Sequence, residues 1–249
     1  MPATTDRLHV GLMLTLSFST GIVDAVGYLG LDRVFTANMT GNVVILAMGL
    51  TGGNGLPVVG PVVALAGFVL GAMIAGRVLR GLPTGWGPRD TGLLATVAVL
   101  LVVAFVPTLL AGASPYPAGI ALPVTALLGT AMGMQAGTAR HIAVTDVTTV
   151  VITSTLAALA FDSWLGRRTG QAWRRRLGAV SLIALGALVG AALLLVQFWL
   201  GLGLAAAILV VVAVLGLVGQ RRVRTAAPVG RSVAFEGSRR PDGGEERIP

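Results

Sequence analysis

The sequence predicts an all-α polytopic membrane protein with about six net transmembrane crossings, two broken or re-entrant units and an inverted 3+3 repeat. Composition, the spacing of apolar runs and the placement of arginines carry that expectation. Of the 249 residues, 55% are hydrophobic and 11% charged, and the mean hydropathy is +0.86. A soluble domain has about a quarter of its residues charged, so this chain has too few to cover a water-facing surface.

The apolar runs are Leu8–Leu31, Phe35–Thr51, Pro57–Leu79, Thr91–Gly112, Ala118–Ala139, Thr145–Leu165, Leu177–Trp199 and Gly201–Gly219. Most have the length that crosses a bilayer as a helix. Gly/Pro/Asn turns such as Gly52–Gly55 and Ser114–Pro117 separate them. One arginine precedes the first run and no convincing cleavage site follows it, so the run reads as a retained helix. Residues 1–220 form one transmembrane domain, with halves 8–112 and 118–219. The Arg/Gly/Pro-rich residues 221–249 are expected to be a disordered cytoplasmic tail.

Counting all eight runs as spans creates a conflict. The strongest basic loops hold Arg77, Arg80 and Arg89, and then Arg167, Arg168, Arg174, Arg175 and Arg176. The positive-inside rule puts both on the cytoplasmic side, yet three runs separate them. The conflict disappears if Ala118–Leu165 makes one net crossing, as a helix plus a re-entrant or broken segment. Leu8–Thr51 invites the same treatment, because its second half is a polar knot unsuited to lipid. Both termini then lie in the cytoplasm. The net charge of +8 follows from these loops, and nucleic-acid binding is not expected. Trp86, Trp164, Trp173 and Trp199 fall at or near run ends, where interfacial anchors belong.

The two broken units align. Thr20–Ala25 lies on Met132–Gly137, and with one inserted residue Thr36, Thr40, Gly41, Asn42 and Ala47 lie on Thr149, Thr153, Ser154, Thr155 and Ala160. Halves of three crossings must enter the membrane from opposite sides. Inverted repeats with discontinuous helices at corresponding positions are typical of secondary transporters.

Asp24 is the carboxylate well inside a run, and ionised at the bilayer centre it would cost about 2.5–3.5 kcal/mol. It reads either as a proton or substrate site, with Tyr28 one turn on, or as a structural tie between the first helix and the segment after it. Asn38, Thr40, Gly41 and Asn42 offer amides and hydroxyls at close spacing, for a ligand or for interhelical hydrogen bonds. In the second unit the corresponding candidates are Gln135, Arg140, Thr149 and Thr153, and Asp24 with Arg140 is a candidate cross-repeat ion pair. His141 lacks the partners of a metal site, and Asp146 reads as a helix cap. Gly129-x3-Gly133-x3-Gly137 and Gly67-x3-Gly71 are small-residue faces for close helix packing. With no cysteine, no phosphate loop and no nucleophile–base pair, neither an enzyme nor a cofactor is expected.

Asp24-Ala25 followed by Phe35-Thr36-Ala37-Asn38-Met39-Thr40-Gly41-Asn42 resembles the signature of the YoaK-like family of bacterial inner-membrane proteins. Gly133–Ala136 and the Thr-rich Thr148–Thr155 resemble it too, although Ser154 stands where the family often has glycine. The resemblance covers about Leu8 to Gln220 and implies a compact multi-pass fold of about six spans, without implying an activity. The leading functional expectation is a small secondary transporter or permease acting on an unidentified small solute or proton, with a second copy of the chain as a partner. The alternative is a non-transporting structural or accessory membrane protein.

Overall fold

The computed structural model describes residues 2–52, 55–112, 116–142, 152–163, 166 and 173–226, without the side chains of 2–7, 174–175 and 220–226. The described residues form eight helices: α1 (Pro2–Gly30), α2 (Met39–Gly49), α3 (Val59–Val78), α4 (Pro88–Ala111), α5 (Ala118–Ile142), α6 (Ile152–Phe161), α7 (Trp173–Leu194) and α8 (Phe198–Ala226). Six are long and apolar enough to cross a membrane. The other two, α2 with 11 residues and α6 with 10, reach only about 15–16 Å at 1.5 Å per residue, half of a hydrocarbon core. The chain is therefore a polytopic helical membrane protein, with six candidate spans and two shorter helices among the described residues. α8 continues to Ala226 and so takes in the first six residues of the expected tail, and residues 227–249 lie outside the described residues.

Local sequence sets the helix ends. Asn38 caps α2 by accepting from Gly41 N at 3.3 Å. Pro88 opens α4, and Asp90 reaches back to accept from Gly87 N at 2.9 Å. α4 ends at Gly112, whose φ of 75° suits glycine. Pro107 and Pro123 sit inside α4 and α5, which membrane helices tolerate.

The apolar core is built by α1, α4, α5 and α8, through residues such as Met13, Leu16, Leu94, Leu101, Leu128, Leu202 and Leu209. α1 packs on α8, α8 on α4, α4 on α5, and α5 touches α1, closing a ring. α7 flanks α1 and α3 flanks α5, and the short helices α2 and α6 lie on α3 and α7. Exposed apolar side chains, including Val69, Met73, Val99, Val103, Leu188 and Val211, line the outer faces. Lipid, not water, is the medium such a surface requires.

Glycines let the two flanking pairs approach to backbone contact. A Cβ at Gly133 would strike the Phe68 carbonyl oxygen, and one at Gly71 would strike that of Thr130. Further along, a Cβ at Gly129 would lie 2.8 Å from Ala64 O and one at Gly67 would lie 2.9 Å from Ala126 O. The α3 and α5 stripes legible in the sequence therefore meet each other, and the two helices run parallel. α1 and α7 repeat the arrangement without a stripe of three glycines: a Cβ at Gly21 would strike Ile183 O, and one at Gly186 would strike Phe18 O. In all four contacts the struck carbonyl lies three residues before the partner helix's glycine.

The ends of the bundle are fixed by side chains. At one end Gly219 faces Leu8, whose Cδ2 a Cβ there would approach to 3.5 Å, and His9 stacks on Trp86 at 5.0 Å. Trp86 donates to Thr91 Oγ1 at 2.8 Å, so it packs within the protein as well as marking a helix end. At the other end Tyr116 meets Phe198 edge-on at 4.8 Å, and Phe105 meets Trp199 at 6.3 Å. Trp173 is exposed at the start of α7. Trp164 and Asp146 lie outside the described residues.

Candidate functional site

The polar segment is a folded-back connection between α1 and α2. The chain leaves α1 at Gly30 and turns through exposed Asp32 and Arg33, with Arg33 in the left-handed region at φ 49°. It then returns alongside α1. Gly27 permits this, since a Cβ there would lie 2.6 Å from Val34 O. Asp24 Oδ1 accepts from Thr36 N at 2.9 Å, Thr36 Oγ1 at 3.1 Å and Ala37 N at 2.7 Å. Asp24 lies six residues before the end of α1, so the chain turns back by about 9 Å before α2 begins. A break of this kind leaves backbone N–H groups without helical partners, and at membrane depth they must be satisfied within the protein. The carboxylate supplies that, and its charge faces the N-terminal end of α2, where the helix dipole favours an anion.

The remaining motif residues complete the clamp. Asn42 is fully buried and pairs with one residue through both amide atoms, accepting from Phe35 N at 2.9 Å and donating to Phe35 O at 2.6 Å. Phe35 stacks on Tyr28 at 4.8 Å. Gly41 leaves room for the Phe35 ring, which a Cβ would approach to 2.7 Å. Asp24, Tyr28, Asn38, Gly41 and Asn42 are thus gathered in one place, while Thr40 is exposed on α2.

Other candidates lie elsewhere. Gln135, on α5, is 2% exposed and donates to Thr20 Oγ1 on α1 at 2.9 Å. Arg140 is exposed near the end of α5, beside His141, whose backbone oxygen accepts from Gly85 N. That is the His9–Trp86 end of the bundle, and Asp24 lies about 22 Å further along α1. The expected Asp24–Arg140 pair is therefore not formed: the two side chains sit at opposite ends, and Asp24 spends its charge on backbone donors. Thr153 is exposed on α6, and Thr149 lies outside the described residues.

Two arrangements were not foreseen from the sequence. Asp90, 1% exposed, holds His141 Nδ1 at 2.9 Å with one oxygen and Gly87 N at 2.9 Å with the other, tying α4 to the end of α5. The Gly87-Pro88-Arg89-Asp90 start was a readable capping signal, but the distant histidine was not. Asp90→Ala is expected to lower stability by about 2–3 kcal/mol, because it removes the buried carboxylate that holds both part-buried partners, Gly87 N and His141 Nδ1. A fall in the detergent-solubilised melting temperature, partly restored in Asp90→Asn, would check it. The second arrangement is at the α1–α5 crossing, where Gln135 Oε1 and Ser19 Oγ are buried without a hydrogen-bond partner. Each such group costs about 1–3 kcal/mol.

Residues 12–215 match the family described as "Protein of unknown function (DUF1275)". The chain is 35% identical over 153 residues to the UPF0700 transmembrane protein YoaK of Bacillus subtilis (strain 168), an alignment covering 61% of this chain and 65% of that protein. The matched stretch thus spans less than two thirds of that relative's length. No solved structure matches the chain. With its motif folded into the α1–α2 clamp and the match running from within α1 to within α8, the chain belongs to the DUF1275 family of membrane proteins.

Proposed function

We propose that this protein is a small secondary transporter or permease built as an inverted 3+3 repeat, moving a small solute or proton across the bacterial inner membrane. The observation that carries the reading is the reciprocity of the helix packing. Replacing α1–α4 by α5–α8 and the reverse turns the α1–α7 contact into α5–α3, α1–α8 into α5–α4 and α2–α3 into α6–α7, and leaves α4–α8 and α1–α5 unchanged; α7–α8 alone lacks a counterpart among the closer contacts of the described residues. The glycine contacts follow the same exchange, with Gly21 and Gly186 in the roles of Gly133 and Gly71. Discontinuous helices at corresponding places in two halves are a construction that secondary transporters use around a central site.

In this reading both termini face the cytoplasm with the arginine-rich loops, and two copies assemble to complete a pathway. A second reading, a non-transporting structural or accessory protein, draws support from the way Asp24 and Asn42 spend hydrogen bonds on the chain's own backbone. Proteoliposomes carrying the purified protein, tested with a panel of labelled solutes and with an imposed pH gradient, separate the two. Saturable flux that is lost in Asp24→Asn while the variant stays folded supports transport through the clamp region. Wild-type protein inert to every solute and to the gradient, with Asp24→Asn differing only in stability, supports the structural reading.

A further inference from the structure

The α1–α5 crossing holds hydrogen-bonding capacity that the protein leaves unused. Thr20 Oγ1 donates its single proton to Leu16 O at 2.9 Å, so towards Gln135 it can only accept. This fixes the amide, whose oxygen and nitrogen are otherwise interchangeable: the NH2 faces Thr20, and the carbonyl oxygen points away with nothing to receive. The Ser19 hydroxyl next to Thr20 is buried and unpartnered as well. Val26 packs against Gly201 of α8, and residues seven apart share a helix face, so Ser19 faces α8 while Thr20 faces α5. Both therefore border the interior that α1, α8, α4 and α5 surround, beside apolar core side chains such as Leu16. Buried polar groups without partners are rare, and an unseen water or ligand commonly accounts for them.

The charge around this space is one-sided. The buried polar residues among those described are Ser, Thr, Asn, Gln and Asp, with no cationic side chain. The nearest ionisable group on α1 is the Asp24 carboxyl, one turn beyond Thr20. An anion would find only the Ser19 hydroxyl and no cationic partner, whereas a donor would find both the Gln135 carbonyl and the Ser19 oxygen.

We infer that the centre of the α1–α4–α5–α8 ring is a binding site for a small solute that donates hydrogen bonds and carries no negative charge, held by Gln135 Oε1 and the Ser19 hydroxyl. Its place on a transport route rests on the proposed function; the site itself does not. The α1–α5 contact maps onto itself when the halves are exchanged, which puts the site where the two halves meet.

Because the chain has no cysteine, single thiols report directly. Ser19→Cys and Gln135→Cys in full-length protein in proteoliposomes are treated with three ethyl methanethiosulfonates, bearing a trimethylammonium, a hydroxyl or a sulfonate group, and read by intact mass. Each rate is divided by that of Thr84→Cys, on an exposed loop; Leu128→Cys, in the apolar core, sets the background. The expected result is modification of both site thiols above background, with the cationic or the neutral reagent at least about tenfold ahead of the anionic one. If both cationic and neutral reagents lead, the site accepts any donor; if only the neutral one leads, it is restricted to uncharged solutes. Site thiols as slow as Leu128→Cys would overturn the site, and equal rates for anion and cation would overturn its ligand class. Ser19→Cys changes one atom, so it keeps the test sound if Gln135→Cys misfolds. Flux with unreactive thiols would leave transport standing without this site. Reactive thiols in a protein that moves no solute would leave the site standing without transport.

Discussion

Gly133→Ala is expected to prevent recovery of folded protein, whereas Gly76→Ala on the facing helix is expected to be tolerated. A single methyl group at Gly133 meets the carbonyl oxygen of Phe68 on α3, and no rotamer can move a backbone atom aside. The helices must separate, and the contacts at Gly71, Gly129 and Gly137 separate with them. Overpacking a core that can adjust costs about 1–3 kcal/mol. Here the obstacle is backbone and the face is shared by several contacts, so the loss should exceed about 3 kcal/mol, a large part of a typical stability of about 5–15 kcal/mol. Between TM helices there is no water to expel, and close packing is much of what holds them together. A Cβ at Gly76 meets nothing within 4 Å, and its effect should stay within about 1 kcal/mol. Gly186→Ala should behave like Gly133→Ala, because its Cβ would strike Phe18 O in the α1–α7 contact. The monodisperse fraction on size-exclusion chromatography and the melting temperature of each variant provide the check. A well-folded Gly133→Ala protein would mean that the two backbones are further apart than described.

Asp24→Ala is the second large effect. It removes one oxygen that receives three donors, two of them backbone N–H groups at a chain break. Hydrogen bonds to a charged acceptor contribute about 1.5–3 kcal/mol each, and stranded donors add a desolvation cost. The expected loss is about 3 kcal/mol or more, felt first as opening of the α1–α2 connection. Asp24→Asn keeps a carbonyl oxygen in the same place and should lose less. Hydrogen–deuterium exchange over residues 31–42 separates the variants: fast exchange in Asp24→Ala and near wild-type protection in Asp24→Asn. Equal protection in all three proteins would show that the carboxylate does not hold the turn. The pair of substitutions also bears on function, since a proton or substrate site would respond to loss of charge in Asp24→Asn even with the turn intact.

Much of the architecture was legible in the chain. Hydropathy marked the spans within a few residues, the arginine placement argued for one net crossing over Ala118–Leu165, and the polar knot argued against Phe35–Thr51 as an ordinary span. The helix found in Phe35–Thr51, α2, is too short to cross, and the described part of Thr145–Leu165 forms the ten-residue α6. The stripes Gly67-x3-Gly71 and Gly129-x3-Gly133-x3-Gly137 announced close packing, because a face without side chains has few other uses in a helix. The α1–α7 contact carried a weaker signal: α1 contributes the single glycine Gly21, and the stripe on α7 is short.

The motif itself divides along the same line. Residue types alone mark Asp24, Asn38 and Asn42 as too polar for an ordinary lipid-facing helix and place them at a break in the helix pattern. Which acceptor meets which donor emerges from the packing of the helices. Asp24 pairs with Thr36 and Ala37 instead of Arg140, Asn42 embraces the Phe35 peptide, and Gln135 finds Thr20 across 115 residues of sequence. The physical reason is that hydrophobicity is additive along a chain and shows in a window of residues. A hydrogen bond needs two atoms within about 3 Å at a suitable angle, and only the packing of all the helices together brings such atoms within reach.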